Sequence, residues 1–93
     1  MALIKIRNKK GTAKPAPEGY LSWLEFWQER KPVSDGICKI YNCSNQATDG
    51  GHVIIHGEGG KEYILAICHQ CNSQPEDEVM LTNAVYLVPV VDD

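Results

Sequence analysis

Apolar and polar positions change period several times along this chain, and each change marks an element. Residues 2–6, Ala-Leu-Ile-Lys-Ile, read as a short edge strand. Residues 8–19 follow with Pro15, Pro17, Gly11 and Gly19, a composition that predicts an extended linker. Ser22-Trp23-Leu24-Glu25 then fits a capping box, in which the hydroxyl and the carboxylate each accept the other residue's backbone N–H. Leu21 and Phe26 stand at the positions of the accompanying hydrophobic staple. Trp23, Phe26 and Trp27 fall at i, i+3, i+4 and give an amphipathic helix one aromatic face. Pro32 ends that helix near Lys31, and Val33-Ser34-Asp35-Gly36 reads as a turn. In so small a chain the aromatic face is expected to form the lid of the core rather than a partner-binding stripe.

The second half changes to a period of two. His52-Val53-Ile54-Ile55-His56 is rich in β-branched residues and reads as a strand. Gly57-Glu58-Gly59-Gly60 is the loop, and Lys61 to Ile67 the returning strand of a hairpin. With a four-residue loop, His52 faces Leu65, Ile54 faces Tyr63 and His56 faces Lys61. That register puts His52, Ile54 and His56 on one face with Tyr63, Leu65 and Ile67. Gly50-Gly51 reads as a tight turn entering the hairpin. Cys68-His69-Gln70-Cys71-Asn72 opens a short helix that Pro75 ends, and Glu76-Asp77-Glu78 is an exposed acidic run. Ala84 to Val91 reads as a final strand, which Pro89 assigns to a sheet edge.

Length and composition narrow the classes. Ninety-three residues make one domain. A domain this small buries only roughly 60–65% of the surface its unfolded chain exposes, so a covalent or metal staple is expected. No apolar run approaches the length of a membrane span, and the first residues lack the features of a secretion signal, so a cytoplasmic location is expected. The chain is too short for a dinucleotide-binding sheet. A net charge of −3 hides an asymmetry. Residues 1–17 hold Lys5, Arg7, Lys9, Lys10 and Lys14 and no acid, while residues 18–93 hold four basic and twelve acidic groups. The division expected is a basic arm and linker over 1–19 and a single metal-binding domain over 20–93.

The staple is written in the cysteines. Cys38-x4-Cys43 and Cys68-x2-Cys71 are separated by 24 residues, a hairpin's length. A tetrahedral Zn²⁺ takes four thiolates at about 2.3 Å, two from each of two tight turns. The rival reading is two disulfides. It suits a secreted chain, and Cys-x2-Cys closes a ring too small for an unstrained structural disulfide. A closed site of four sulfurs leaves no open position, so this zinc would be structural rather than catalytic.

A knuckle, Gly50-Gly51-His52-Val53, a hairpin ending Tyr63-Ile64-Leu65-Ala66-Ile67, and Cys68-His69-Gln70-Cys71-Asn72 together resemble the zinc-stapled branch of the HNH endonuclease-like proteins. The resemblance covers about residues 36–75. It implies a treble clef, in which knuckle, hairpin and helix surround one zinc, within a small α+β fold that carries the N-terminal amphipathic helix and the C-terminal edge strand. It implies Cys38, Cys43, Cys68 and Cys71 as zinc ligands, His52 as the general base, and Asn72 as the last motif position. Active members carry an acidic metal ligand directly before the histidine, where this chain has Gly51. They also carry an asparagine five residues before the third cysteine, where it has Tyr63. Asp49 and His56 are the nearby groups that an unusual site would recruit. The active site therefore reads as degenerate. The leading expectation is a non-catalytic zinc module binding nucleic acid or a protein partner, with DNA met through Lys5, Arg7, Lys9, Lys10 and Lys14. The alternatives are a divalent-metal-dependent DNA endonuclease using His52, and an accessory structural protein of a larger assembly. In the bland reading His52 bonds a backbone carbonyl near the knuckle, His69 points to solvent, and Asn72 caps a turn or bonds a zinc-bound sulfur.

Overall fold

The computed structural model describes residues 3–10, 15–31 and 35–90. The fold is α+β, built on a five-stranded antiparallel sheet. In chain order the elements are β1 (Leu3–Asn8), α1 (Trp23–Arg30), β2 (Asp49–Ile55), β3 (Glu62–Ile67), α2 (His69–Asn72), β4 (Met80–Asn83), a 3-10 turn (Ala84–Tyr86) and β5 (Val88–Pro89). The sheet order is β4-β1-β2-β3-β5.

Alternation sorts the sheet into two faces, each burying its own cluster. Ile6, Val53, Leu65 and Ile67 pack with Cys38, Ile40, Cys68 and Met80 on one face. Ile64, Ala66 and Val88 pack under Phe26 and Trp27 of α1 on the other. Ser22 caps α1 by accepting the Glu25 N–H at 3.1 Å, and Lys31 closes its other end. Trp27 donates its indole N–H to the Tyr86 carbonyl at 2.8 Å, which ties α1 to the chain entering β5. The aromatic face is thus a core lid. The staple is not formed: Leu21 is 93% exposed, because Phe26 turns inward onto Tyr20 and Trp23 instead.

Three placements depart from expectation. The N-terminal strand is not at an edge. It runs to Asn8, lies between β4 and β2, and pairs Ile6 with both Met80 and Ile55. Residues 3–8, including Lys5 and Arg7, therefore belong to the folded sheet and not to a separate arm. Its second partner, β4, is contributed from residues far along the chain, so no local pattern announces the pairing.

The hairpin register is shifted by one. His52 faces Ile64, Val53 faces Tyr63 and Ile54 faces Glu62. β1 holds Ile55, and the His56 N–H donates to the Lys5 carbonyl, so the connection back to β3 lengthens to residues 56–61. A one-residue shift exchanges the faces of every side chain in the strand. His52 and Ile54 consequently share a face with Ile64 and Ala66, not with Leu65 and Ile67.

Gly50 and Gly51 lie within β2 rather than in a turn before it. A Cβ on Gly50 would collide with the backbone of Trp23 and Leu24, and one on Gly51 with Ile67 and the Asn72 amide. The glycines let α1 and α2 approach the same strand from opposite sides. At the C-terminus, the expected strand from Ala84 begins as the 3-10 turn, and only Val88–Pro89 pairs, antiparallel to β3 at the sheet edge. Residues 1–2, Lys14 and the rest of 11–14, Pro32 with Val33 and Ser34 of the expected turn, and residues 91–93 lie outside the described residues.

Candidate metal centre

Two tight turns meet over one face of the sheet. In the first, the Cys38 N–H donates to the Asn45 carbonyl at 2.8 Å and the Cys43 N–H to the Ile40 carbonyl at 3.0 Å. Asn42 supplies the left-handed residue that the turn needs, with φ 67°, a conformation asparagine tolerates better than most. The turn is sewn to both sides of the sheet. The Lys39 N–H reaches the Ala66 carbonyl, the Tyr41 N–H reaches the Leu81 carbonyl, and the Thr82 hydroxyl donates to the Lys39 carbonyl at 2.7 Å. In the second turn Cys68 is the N-cap of α2, and its sulfur accepts the Cys71 N–H at 3.4 Å.

The four sulfurs of Cys38, Cys43, Cys68 and Cys71 all lie within 4.8 Å of one another. Cys43 Sγ is 3.8 Å from Cys68 Sγ and 3.9 Å from Cys71 Sγ. Four sulfurs about 2.3 Å from a common centre have tetrahedral edges of about 3.8 Å. A disulfide needs about 2.05 Å, and all four cysteines are free thiols. Donor type, number and spacing therefore fit a single metal ion.

Burial pushes the Cys38 thiol up to about 11, and burial together with its sulfur neighbours raises Cys71 as well. Burial also opposes ionisation of Cys68, but the Cys71 N–H, the Asn45 amide and the neighbouring thiols outweigh it and bring Cys68 down to about 6. Asn45 Nδ2 stands 3.6 Å from that sulfur. Cys68 is thus favoured as a thiolate, while burial disfavours the ionised form of Cys38 and Cys71. A divalent ion would favour the ionised form of each.

The residues that the family resemblance singles out separate into two places. His52 lies on the α1 face. Its ring meets Trp23 edge to face at 4.8 Å, its Nδ1 is 3.3 Å from Glu62 Oε1, and its side chain is only 9% exposed. One group it engages is the Glu62 carboxylate, one diagonal away on β3. Asn72 lies on the opposite face, donating to Asp49 Oδ2 at 2.9 Å. The same Asp49 oxygen is 3.5 Å from His69 Nδ1, and His69 is 85% exposed, as its place between two ligands suggested. The sheet thus stands between His52 and the Asp49–Asn72 pair. His56 sits exposed in the hairpin connection, away from both. A buried imidazole between an indole and a carboxylate is not presented to a phosphodiester, and this argues against His52 as a general base.

Two features have no sequence signal. Lys39 is buried, with Nζ 2.7 Å from Asp35 Oδ1 and 5.1 Å from the centre of the Tyr86 ring. Asn8 is 2% exposed and reaches the turn of Cys68 and Cys71 from the N-terminal strand. Neither a lysine in a polar loop nor an asparagine ending a strand distinguishes itself before the long-range pairing is known.

No family model, no curated protein and no solved structure matches this chain. Its class therefore rests on its own geometry: a small α+β domain with a cysteine cluster that can hold one metal ion.

Proposed function

We propose that this protein is a structural-zinc binding module, non-catalytic, of HNH-like descent, whose knuckle, hairpin and short helix form a treble clef. The observation that carries the reading is the convergence of four free thiols, with spacings near the edge of a zinc tetrathiolate. The ion would be held by Cys38, Cys43, Cys68 and Cys71, and it would supply cross-linking rather than chemistry, because four protein ligands leave no position for water or substrate. The mixed placement of His52 and Asn72 supports the non-catalytic side of the reading.

The partner is best read as a protein. Arg7 and Lys10, two of the basic groups assigned to DNA, hold the turn after α2. Arg7 Nη1 donates to the Glu76 carbonyl at 3.3 Å, and Lys10 Nζ to the Asn72 carbonyl at 2.9 Å. Beside the first knuckle, Leu3, Ile37, Ile40, Tyr41 and Tyr86 line a cavity of about 230 Å³. Leu3, Ile37 and Tyr41 are exposed apolar side chains of the kind that a partner covers.

The test is metal stoichiometry and chelation on the full chain. One zinc per chain, with circular dichroism and tryptophan emission lost on complete chelation and restored by Zn²⁺, is expected. A spectrum unchanged after full metal removal overturns the structural-zinc reading. In parallel, the zinc-loaded protein should neither cleave duplex DNA with Mg²⁺ or Mn²⁺ nor bind it with a steep salt dependence. Cleavage abolished by His52→Ala would restore the endonuclease reading, and steep salt-dependent binding would restore the nucleic-acid one.

A further inference from the structure

Asn8 is a buried amide delivered to the turn of Cys68 and Cys71 from the opposite end of the sequence. It sits at the end of β1, facing Val53 of β2. Its Nδ2 lies 2.9 Å from the Cys71 carbonyl, 3.1 Å from the Gln74 carbonyl and 3.4 Å from the Asn72 carbonyl. These belong to the end of α2 and the turn after it, where helix geometry leaves carbonyls without intrahelical donors. Among the described residues, the backbone N–H groups of this turn serve only part of the need: Ser73 donates to His69, and Gln74 donates to Cys71 at a long 3.3 Å. Asn8 supplies what remains, and Lys10 Nζ adds a charged donor on Asn72.

The consequence for the cysteines follows from length. A helix of four residues has no stability of its own, since nucleation alone is unfavourable. Cys71 lies in its last turn, so the direction of its Cα–Cβ bond depends on whatever fixes the peptide that follows. The Asn8 amide fixes that peptide through the Cys71 carbonyl itself. At the other end of α2, Cys68 is fixed by its own N-cap bond and by the end of β3. Cys68 is met from outside by Asn45 at its sulfur, and Cys71 by Asn8 at its carbonyl, so the Asn8 contact acts on the backbone that aims the Cys71 side chain.

We propose that Asn8 is a positioning residue for the metal centre, holding Cys71 at the spacing of the other three sulfurs and making metal affinity depend on the docking of β1. This rests on the reading that the four cysteines bind metal. Outer groups that orient metal ligands are typically worth 10–100-fold in affinity.

The experiment is a competitive titration of the full chain with Co²⁺ and then Zn²⁺ against a chromophoric chelator, recording the cobalt visible spectrum. The variants are Asn8→Ala and Asn8→Thr, the second keeping a β-branched strand former at the site. The control is Ile6→Val, which trims the same strand and the same core face without removing a hydrogen bond to the α2 turn. The wild type is expected to bind one ion with the intense visible bands of a tetrahedral thiolate site. Both Asn8 variants should lose about 10–100-fold in affinity and change the band pattern. Ile6→Val should keep the wild-type bands and stay within about threefold. Asn8 variants with wild-type affinity and bands overturn the proposal. So does a loss equalled by the control, or failure of both variants to fold in saturating Zn²⁺, which would make Asn8 a folding residue only. If the wild type itself binds neither ion, it is the metal reading that has failed, and the proposal falls with it.

Discussion

Substituting the two adjacent glycines of β2 separately should damage opposite sides of the molecule. In Gly50→Ala the new methyl meets the backbone of Trp23 and Leu24, with the Trp23 Cβ at 2.7 Å. Backbone cannot swing aside as a side chain can, so the start of α1 must lift off the sheet. Overpacking of this kind costs about 1–3 kcal/mol, and the upper end applies because the obstacle is main chain. A chain of this size has a total stability of about 5–14 kcal/mol, so the loss is a substantial fraction. With a urea dependence of about 1–3 kcal/mol per molar, the midpoint should fall by about 1–3 M. Both tryptophans lie on α1, so their emission should shift in the native state while the cobalt spectrum stays that of the wild type. In Gly51→Ala the methyl meets the tip of Ile67, which can yield, and the Asn72 Oδ1 at 2.9 Å, which must retreat from Asp49. Here the stability loss should be nearer about 1 kcal/mol, with tryptophan emission unchanged and the cobalt bands altered. The opposite assignment, with Gly50→Ala perturbing the metal and Gly51→Ala the tryptophans, would refute the face assignment and the hairpin register behind it.

Trp27→Phe keeps most of the buried ring but leaves the Tyr86 carbonyl without its indole donor, and should cost about 1–3 kcal/mol in urea unfolding of the zinc-loaded protein. A loss below about 0.5 kcal/mol would mean that water replaces the bond. Asp35 accepts from Lys39 Nζ and from the Ile37 N–H, and the lysine bond first among these holds its carboxyl below the usual range. A depressed folded-state pKa stabilises the fold above the unfolded-state value of about 3.9 and is lost as pH falls through the lower one. Asp35→Asn should therefore flatten the acid side of the stability profile below about pH 4. An unchanged profile in the variant would show that the pair contributes nothing there.

How far the sequence could be read depended on the distance over which each feature is decided. The Ser22 cap, the aromatic face of α1 and the closing of that helix near Lys31 are decided within a few residues, and the pattern placed them. The four cysteines were legible because their spacing encodes two turns and a hairpin. Leu21 satisfied the staple pattern, yet Phe26 had better partners in Tyr20 and Trp23, and local pattern cannot weigh such competition. The hairpin was legible as a hairpin, but its register depended on β1 taking Ile55 from a strand that lies 49 residues earlier at Ile6. That one pairing reversed the faces and so separated His52 from Asn72, which the family resemblance had joined. β4 went unnoticed because Met80-Leu81-Thr82-Asn83 alternates in burial but not in apolar and polar residue type, and Asn8 because a buried amide announces itself only through distant carbonyls.

The position of β1 in the sheet has a consequence for the order of assembly. Its neighbours are β2 and β4, and its pairing with β4 joins residues 3–6 to residues 80–83. The first strand made is therefore one of the last to find its place. The β2–β3 hairpin can form from local contacts alone, whereas β1 gains its second neighbour only when β4 arrives. Closing so long a loop is entropically costly, and folds dominated by such contacts fold in milliseconds to seconds rather than microseconds. Until β1 pairs with β2 the edge of β2 away from β3 is open, and until β4 arrives the outer edge of β1 is open, so misassociation is favoured at those edges.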